Sequence, residues 1–421
     1  MVDKTNFSRY KELKSTINIV YRGYVLRNIL ATDFIIFSFG KKINISTKKI
    51  ISCIFFKKDI TELVEKFGKQ KVLFTTSDYG SHHRQLLDDI INYVPNSILL
   101  EESNKIKWRF SLKITVVSFF EIFFALKNKG LTLQQMLYFY LSLVKYKKVI
   151  DELENNVKIV KITKYVPFLN CLVPDSIYCQ FFRLRGIKSY GIQHGQYSSG
   201  RYYKTIVPLD VVNVENFQAD YMLGWGELMR ESMLDEGFKR EQFLLAGNPK
   251  YFNINRIELN KLSFKSCVIC LARDFYSKEN LLLLVIGLQI KQNNTDVYIK
   301  LHPRSDISIY MPFINENKLI LLDKTVSVSE SISNYNIDFA IVYNSTVYYE
   351  YYLKNIIAFR FAVNENDIPI GLEDDFCTFE DLIIRIDQYK NFDNQKLNEE
   401  ANRVINKFCA LGVNNYAKIL N

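Results

Sequence analysis

Short runs of β-branched and aromatic residues alternate with helix-patterned segments along almost the whole chain, and they do so in two series. The first series predicts strands at Phe34–Phe39, Val72–Thr76, Ile98–Leu100, Val157–Thr163, Ser189–Ile192, Tyr221–Leu223 and Phe243–Ala246. A polar, Asn-rich stretch, Tyr251–Lys265, interrupts it. The second series follows at Cys267–Leu271, Val297–Leu301, Leu319–Leu322, Phe339–Val342 and Ile356–Phe361, with a helical pattern between each pair. Strands separated by helix-length crossovers pair in parallel and are covered on both faces. The expected fold is therefore α/β, with two Rossmann-like domains, 1–250 and 251–421, facing a central cleft. The last helix is a candidate to pack back on the first domain. The length of 421 residues suits two or three domains, at roughly 150 residues each.

Charge divides along the same line. Residues 1–150 hold 25 Lys+Arg against 12 Asp+Glu, a balance of +13, whereas residues 251–421 hold 18 against 21, a balance of −3. An anionic partner is expected on the first domain, as an anionic membrane, a lipid-linked pyrophosphate or an acidic glycan. Leu133, Met136, Leu137, Tyr140, Leu141 and Val144 recur at helical spacing beside Lys127, Lys129, Lys145, Lys147 and Lys148. This helix either packs on its own domain or rests on an anionic membrane surface. The apolar stretches between Ile114 and Val144 are too short to span a bilayer, which takes about 20 residues. The charged N-terminal segment MVDKTNFSRYKELK reads as no secretory signal. Seven scattered cysteines, with Cys267 and Cys270 inside a strand-like run, fit a reducing cytoplasm better than a metal or redox site.

Ligands of open parallel sheets bind beyond the carboxyl ends of the strands, so polar residues just after a strand are the candidates. His302 emerges from Val297–Leu301 in a His302-Pro303-Arg304 run, where an imidazole and a guanidinium can meet a phosphate; it can also cap a loop. His194 follows Ser189–Ile192 in Gln193-His194-Gly195-Gln196-Tyr197-Ser198-Ser199. It is either a general base for a hydroxyl, with Gly191, Gly195 and Gly200 allowing close approach, or a loop histidine on a carbonyl. Asn344, Ser345 and Thr346 open a helix after Phe339–Val342, as a phosphate seat or an ordinary cap, and Glu350 lies one turn on, within reach of a ribose or in solvent. Arg273 and Asp274 follow Cys267–Leu271 and face the same cleft. Asn248, in Gly247-Asn248-Pro249, closes the first series. Asp78, near His82 and His83, follows Val72–Thr76 on the acceptor side. Glu373-Asp374-Asp375 reads as surface charge. No metal-ligand spacing is present, so no metal and no cofactor are expected.

Read in order, IQHGQYSSGRYYK, AGNPKYF, IKLHPR and VYNSTVYYE resemble the GT-B glycosyltransferases of bacterial surface-polysaccharide assembly, over residues of about 185–360. Three groups share parts of the pattern. Sialyl- and polysialyltransferases carry an acidic-acidic-Gly loop, a His-Pro pair and a Ser-Ser/Thr pair, and capsule Kdo transferases a similar set. Teichoic-acid glycerol- and ribitol-phosphate polymerases carry Trp-His-Gly, His-Pro and Ser-Ser before an acid. The resemblance implies that His302, Ser345 and Thr346 hold the donor phosphate and that His194 is the acceptor base. Gln193-His194-Gly195 stands where the first group has two acids and a Gly, and Gln193 where the third has Trp.

The implied activity is an inverting, metal-independent transfer of a sugar to a glycan or lipid-linked acceptor in capsule or O-antigen assembly. The preferred donor is a CMP-activated acidic sugar such as sialic acid or Kdo. Alternatives are CDP-polyol phosphotransfer, a UDP-sugar transferase, a non-catalytic scaffold and a nucleic-acid-binding protein. The last has no recognition signature, so nucleic acid is not the expected partner. The expected place is the cytoplasm, peripheral at the inner face of the cell membrane.

Overall fold

The structure, a computed structural model, describes residues 4–38, 43, 45–58, 71–76, 81–101, 106–157, 160–197, 199, 207, 211–259, 263–303, 305–363 and 370–421. Its strands in chain order are β1 (Val20–Tyr21), β2 (Tyr24–Val25), β3 (Phe56–Lys58), β4 (Val72–Thr76), β5 (Ser97–Glu101), β6 (Ile106–Trp108), β7 (Lys164–Pro167) and β8 (Lys188–Ile192). Then come β9 (Tyr221–Gly224), β10 (Phe243–Leu245), β11 (Ser266–Cys270), β12 (Asp296–Lys300), β13 (Ile320–Leu321), β14 (Phe339–Val342), β15 (Ile357–Phe361) and β16 (Asp375–Phe376). The chain divides into two compact units. One comprises 2–224, 229–250 and 414–421, so it takes back the C-terminal helix Tyr416–Leu420; the other comprises 225–228 and 251–413.

Each unit holds one six-stranded sheet with every pairing parallel. The order is β10-β9-β8-β7-β4-β5 in the N-terminal unit and β13-β12-β11-β14-β15-β16 in the C-terminal unit. Counted within its own sheet, the second order is 3-2-1-4-5-6, the doubly wound Rossmann arrangement, and the first is 2-1-3-4-5-6. The fold is thus α/β with two Rossmann-like units, as expected above. Strands β4, β11 and β14 are buried at every residue, and β14 with Cys267–Cys270 of β11 accordingly reads as an unbroken apolar run rather than an alternating one.

Two strand expectations fail. Of the expected strand Phe34–Phe39, residues 34–38 belong to the helix Leu26–Ser38, and Phe39 lies outside the described residues. The segment's β-prone composition is overridden by packing: Phe34 meets Phe139 at 4.8 Å, and buried Asp33 accepts from Ser142 Oγ and Tyr146 Oη, both at 2.7 Å. Ser142 and Tyr146 lie one turn apart on the helix Leu133–Asn156, so a helical partner presents both to one carboxylate. The expected strand Val157–Thr163 is displaced. Val157 caps that long helix, and pairing with β4 begins at Lys164.

The helix Leu133–Asn156 is the central post of the N-terminal core, with residues from Tyr138 to Leu153 buried almost without a break. Lys147 and Lys148 are 1% and 0% exposed, so they are not part of a basic face. Lys147 pairs with Glu121, and Lys148 donates to the carbonyls of Cys53, Ile54 and Phe56 around the end of the helix Thr47–Phe55. A cation there satisfies carbonyls left without helical partners. Burial lowers the Lys148 ammonium to about 8. Cys267 and Cys270 sit in β11 at odd separation, on opposite faces, and cannot converge on one ion; burial raises both thiols.

Candidate functional site

Where the strand order of a doubly wound sheet reverses, the loops beyond the two central strands diverge and leave a crevice. In the C-terminal unit those strands are β11 and β14, paired from Cys267↔Phe339 to Cys270↔Val342. Arg273 leaves β11 at that edge, and Asn344, Ser345 and Thr346 leave β14. His302 leaves β12, the neighbour of β11 on the other side. The candidates of three separate motifs thus share the carboxyl edge of one sheet. Arg304 lies outside the described residues, and Pro303 is exposed.

The loops are braced from beneath. Asn280, fully buried, accepts from the Ala272 N–H and donates to the Ala272 carbonyl, both at 2.9 Å, and donates to Tyr310 Oη at 2.8 Å. Asp274 accepts from the Asp306 N–H at 2.7 Å and from Tyr310 Oη at 3.3 Å. Together these bonds tie the loop of Arg273 to the loop of His302, whose carbonyl closes a turn with the Ser305 N–H at 2.9 Å. Asp274, expected to face the cleft, is a brace.

After β14 the backbone turns sharply at Asn344, whose φ of 42° is left-handed, a conformation Asn tolerates better than most side chains. Ser345 Oγ accepts from the Val347 N–H at 3.4 Å and opens the six-residue helix Val347–Tyr352. That helix is anchored at depth. Tyr348 and Tyr352 donate to Asp374, which is 0% exposed and receives Arg360 Nε at 2.6 Å. Asp374 is therefore buried scaffold, not the surface charge expected from Glu373-Asp374-Asp375. An acid run after a glycine looks solvated in one dimension, and only β15 alongside β16 brings Arg360 to it. Burial pushes the Asp374 carboxyl up to about 6, against the pull of Arg360 and the tyrosines. Glu350 bonds the hydroxyl of buried Tyr251 and, with burial as the larger cause, raises it.

In the N-terminal unit His194 follows β8. Its ring stacks on Phe168 with centroids 4.6 Å apart at 23°, and its Nδ1 lies 2.5 Å from Tyr197 Oη, which also accepts from the His194 N–H at 3.2 Å. The direction of this contact goes with the tautomer. If Nδ1–H donates to the tyrosine oxygen, Nε2 carries a lone pair and can act as a base; if the tyrosine donates, Nε2 carries the proton. Tyr197 was present in the sequence, three residues on from His194. What its spacing did not show is that the loop folds it back onto the ring.

Gln193 is fully buried and holds the loop, with its N–H on the Leu223 carbonyl at 3.1 Å and its Nε2 on the Gly195 carbonyl at 3.0 Å. Gln196 Nε2 donates to the Tyr197 carbonyl at 3.1 Å, and its buried Oε1 has no hydrogen-bond partner among the described residues. Gly191 lies where a Cβ would come within 2.8 Å of Asn170; at Gly195 the nearest atom would be 3.9 Å away, so packing there does not require glycine. Asn248, expected with the donor residues, belongs to the N-terminal unit. It is 3% exposed, and its Oδ1 takes the Lys250 N–H at 3.1 Å. Asp78, Ser198 and Gly200 lie outside the described residues, as do the side chains of His82 and His83. Among the described residues no three His, Cys, Asp or Glu side chains group as metal ligands do.

No family model and no curated protein matches the chain. Solved structures do resemble it in shape. The UDP-GlcNAc 2-epimerase from Neisseria meningitidis bound to UDP-GlcNAc is 12% identical with a TM-score of 0.48, covering 83% of this chain and 98% of its own. The lipopolysaccharide outer core galactosyltransferase WaaB is 11% identical at a TM-score of 0.46, covering 83% and 97%. The wall teichoic acid polymerase TagF is 13% identical at 0.43, covering 85% and 88%. With every TM-score below 0.5, the fold assignment rests on this chain's own strand order and register.

Proposed function

We propose that the chain is a glycosyltransferase of bacterial surface-polysaccharide assembly. It takes a nucleotide sugar, preferably a CMP-activated acidic sugar such as sialic acid or Kdo, and transfers the sugar with inversion to a glycan or lipid-linked acceptor at an anionic membrane. The observation that carries this reading is the gathering of Arg273, His302 and the Asn344–Thr346 turn around the point where the β11–β14 sheet reverses order. A donor phosphate at that edge meets a guanidinium, an imidazole and small hydroxyls. The leaving phosphate gains charge as the glycosidic bond to it breaks, so donors fixed in advance stabilise the transition state more than the bound donor. His194, as the Nδ1–H tautomer, removes the acceptor hydroxyl proton while that oxygen bonds the anomeric carbon.

A thermal-shift panel of CMP, CDP, UDP and GDP tests the donor class. Stabilisation by CMP is the expected result. CDP alone redirects the reading to polyol-phosphate transfer, and UDP alone overturns both. His194→Ala should abolish turnover with nucleotide affinity unchanged; loss of both together removes His194 as the base.

A further inference from the structure

A helix that is apolar all round belongs in a core or in lipid, not half in water. Leu112–Leu126 is such a helix. Ile114, Ser118, Ile122 and Leu126, every fourth residue, are buried against its own unit. On the opposite face Leu112, Val116, Phe119, Phe120, Phe123 and Phe124 are 65%, 45%, 50%, 51%, 42% and 62% exposed. The phenyl rings pair largely among themselves, Phe119 on Phe123 at 6.1 Å and Phe120 on Phe124 at 6.2 Å. The preceding ribbon continues the surface, with Ile106 58%, Trp108 66% and Phe110 45% exposed.

Among the described residues the net charge around this face is positive. Within the helix Leu112–Leu126 the one acid, Glu121, is neutralised by buried Lys147, and Glu152 beside the ribbon is paired with Lys57 and Arg109. Glu12, on the neighbouring helix Lys4–Thr16, is held by Arg9 and Lys129. Lys107, Lys113 and Lys127 are exposed along the rim, with Lys127 Nζ 5.5 Å from the Phe124 ring centre. A second copy of the chain would set these lysines against their equivalents; a layer of anionic headgroups over hydrocarbon matches both the charge and the rings. The helix is about 22 Å long, at about 1.5 Å per residue, short of the roughly 30 Å hydrocarbon layer. Among the described residues no helix is long and apolar enough to cross a membrane.

We propose that this face lies in the interface of an anionic bilayer, with the phenyl rings below the headgroups and the lysines among the phosphates. The docking surface is then the helix Leu112–Leu126 rather than the lysine-flanked helix that follows it, whose Lys147 and Lys148 are buried. The proposal deepens the acceptor side of the transferase reading and rests on it for its purpose, since it brings the unit carrying His194 to a membrane-borne acceptor.

The test is flotation of the full chain with vesicles of phosphatidylcholine alone and of equal parts phosphatidylcholine and phosphatidylglycerol, read also by tryptophan emission. The chain has two tryptophans. Trp225 is 7% exposed and Trp108 is 66% exposed, so a blue shift on binding reports Trp108. The wild type should float with the anionic vesicles, shift to the blue, and bind neutral vesicles more weakly. Phe120→Ser with Phe124→Ser should keep the melting temperature and the nucleotide-induced stabilisation but lose vesicle affinity about a hundredfold, about tenfold per ring. The proposal is overturned if the wild type does not float, if the double variant floats equally well, or if sedimentation shows a dimer that the variant dissociates while vesicles remain unbound. Flotation without any nucleotide stabilisation supports the docking and defeats the transferase reading instead.

Discussion

Replacing Arg360 by Met removes the support beneath the Tyr343–Thr346 turn. Tyr348 and Tyr352, one turn apart on the helix that follows, both end on Asp374, and Arg360 is the cation that faces it at 2.6 Å. In the wild type the carboxyl is raised to about 6, with burial the leading cause. An acid raised in the folded state keeps its proton to higher pH than the unfolded chain does. For this group stability is therefore greatest below about pH 4 and falls as the pH rises through about 6, by about 3 kcal/mol over the two-unit interval. Without the guanidinium the carboxyl climbs further, and the decline extends into the neutral range. Breaking one side of a buried pair costs about 3–5 kcal/mol. Arg360→Met should lose about that much at about pH 7.5, and clearly less at about pH 5, where a neutral Asp374 can still bond both tyrosines. Urea unfolding followed by Trp225 fluorescence reads this, because Trp225 stands 5.9 Å from Phe408 within the same unit. Adding Asp374→Asn should restore part of the loss. An equal deficit at both pH values, or no rescue by the second substitution, refutes the assignment of the loss to an unpaired buried carboxylate.

Tyr197→Phe removes the oxygen that holds His194 Nδ1 at 2.5 Å. If that contact sets the tautomer, kcat should fall about tenfold or more with the donor KM unchanged, and an unaltered kcat excludes a positioning role. Gly371→Ala would put a Cβ 2.3 Å from the Arg360 guanidinium, so about 1–3 kcal/mol of stability should be lost, measurable in the same urea titration. Lys148, lowered to about 8 by burial, gives up its proton in the fold before the unfolded chain does. Its contribution to stability should therefore rise between about pH 8 and pH 10.5 and be flat below, and Lys148→Met should remove that slope from the melting temperature against pH.

Much of the architecture was legible in one dimension. Strands at Val72–Thr76, Ser189–Ile192, Tyr221–Leu223, Cys267–Leu271, Val297–Leu301 and Phe339–Val342 fall on observed strands, and Cys267–Cys270 and Phe339–Val342 are the clearest because a strand buried on both faces is apolar throughout, whatever its neighbours. The order of those strands, and hence the edge shared by Arg273, His302 and Ser345, came from pairing alone. Phe34–Phe39 reads as a strand by composition, yet residues 34–38 are helix, because Asp33 finds two hydroxyls one helical turn apart. The same limit applies to charge. Counting residues placed a balance of +13 in positions 1–150, but only the tertiary structure shows which of those lysines face water. Lys147 and Lys148 turn inward to a carboxylate and to helix-end carbonyls, while Lys113 and Lys127 stay outside beside exposed phenylalanines. Sequence set the polarity and period of each segment, which depend on a residue and its near neighbours. Burial, pairing and the placement of charge depend on which segments meet, and the fold alone decides that.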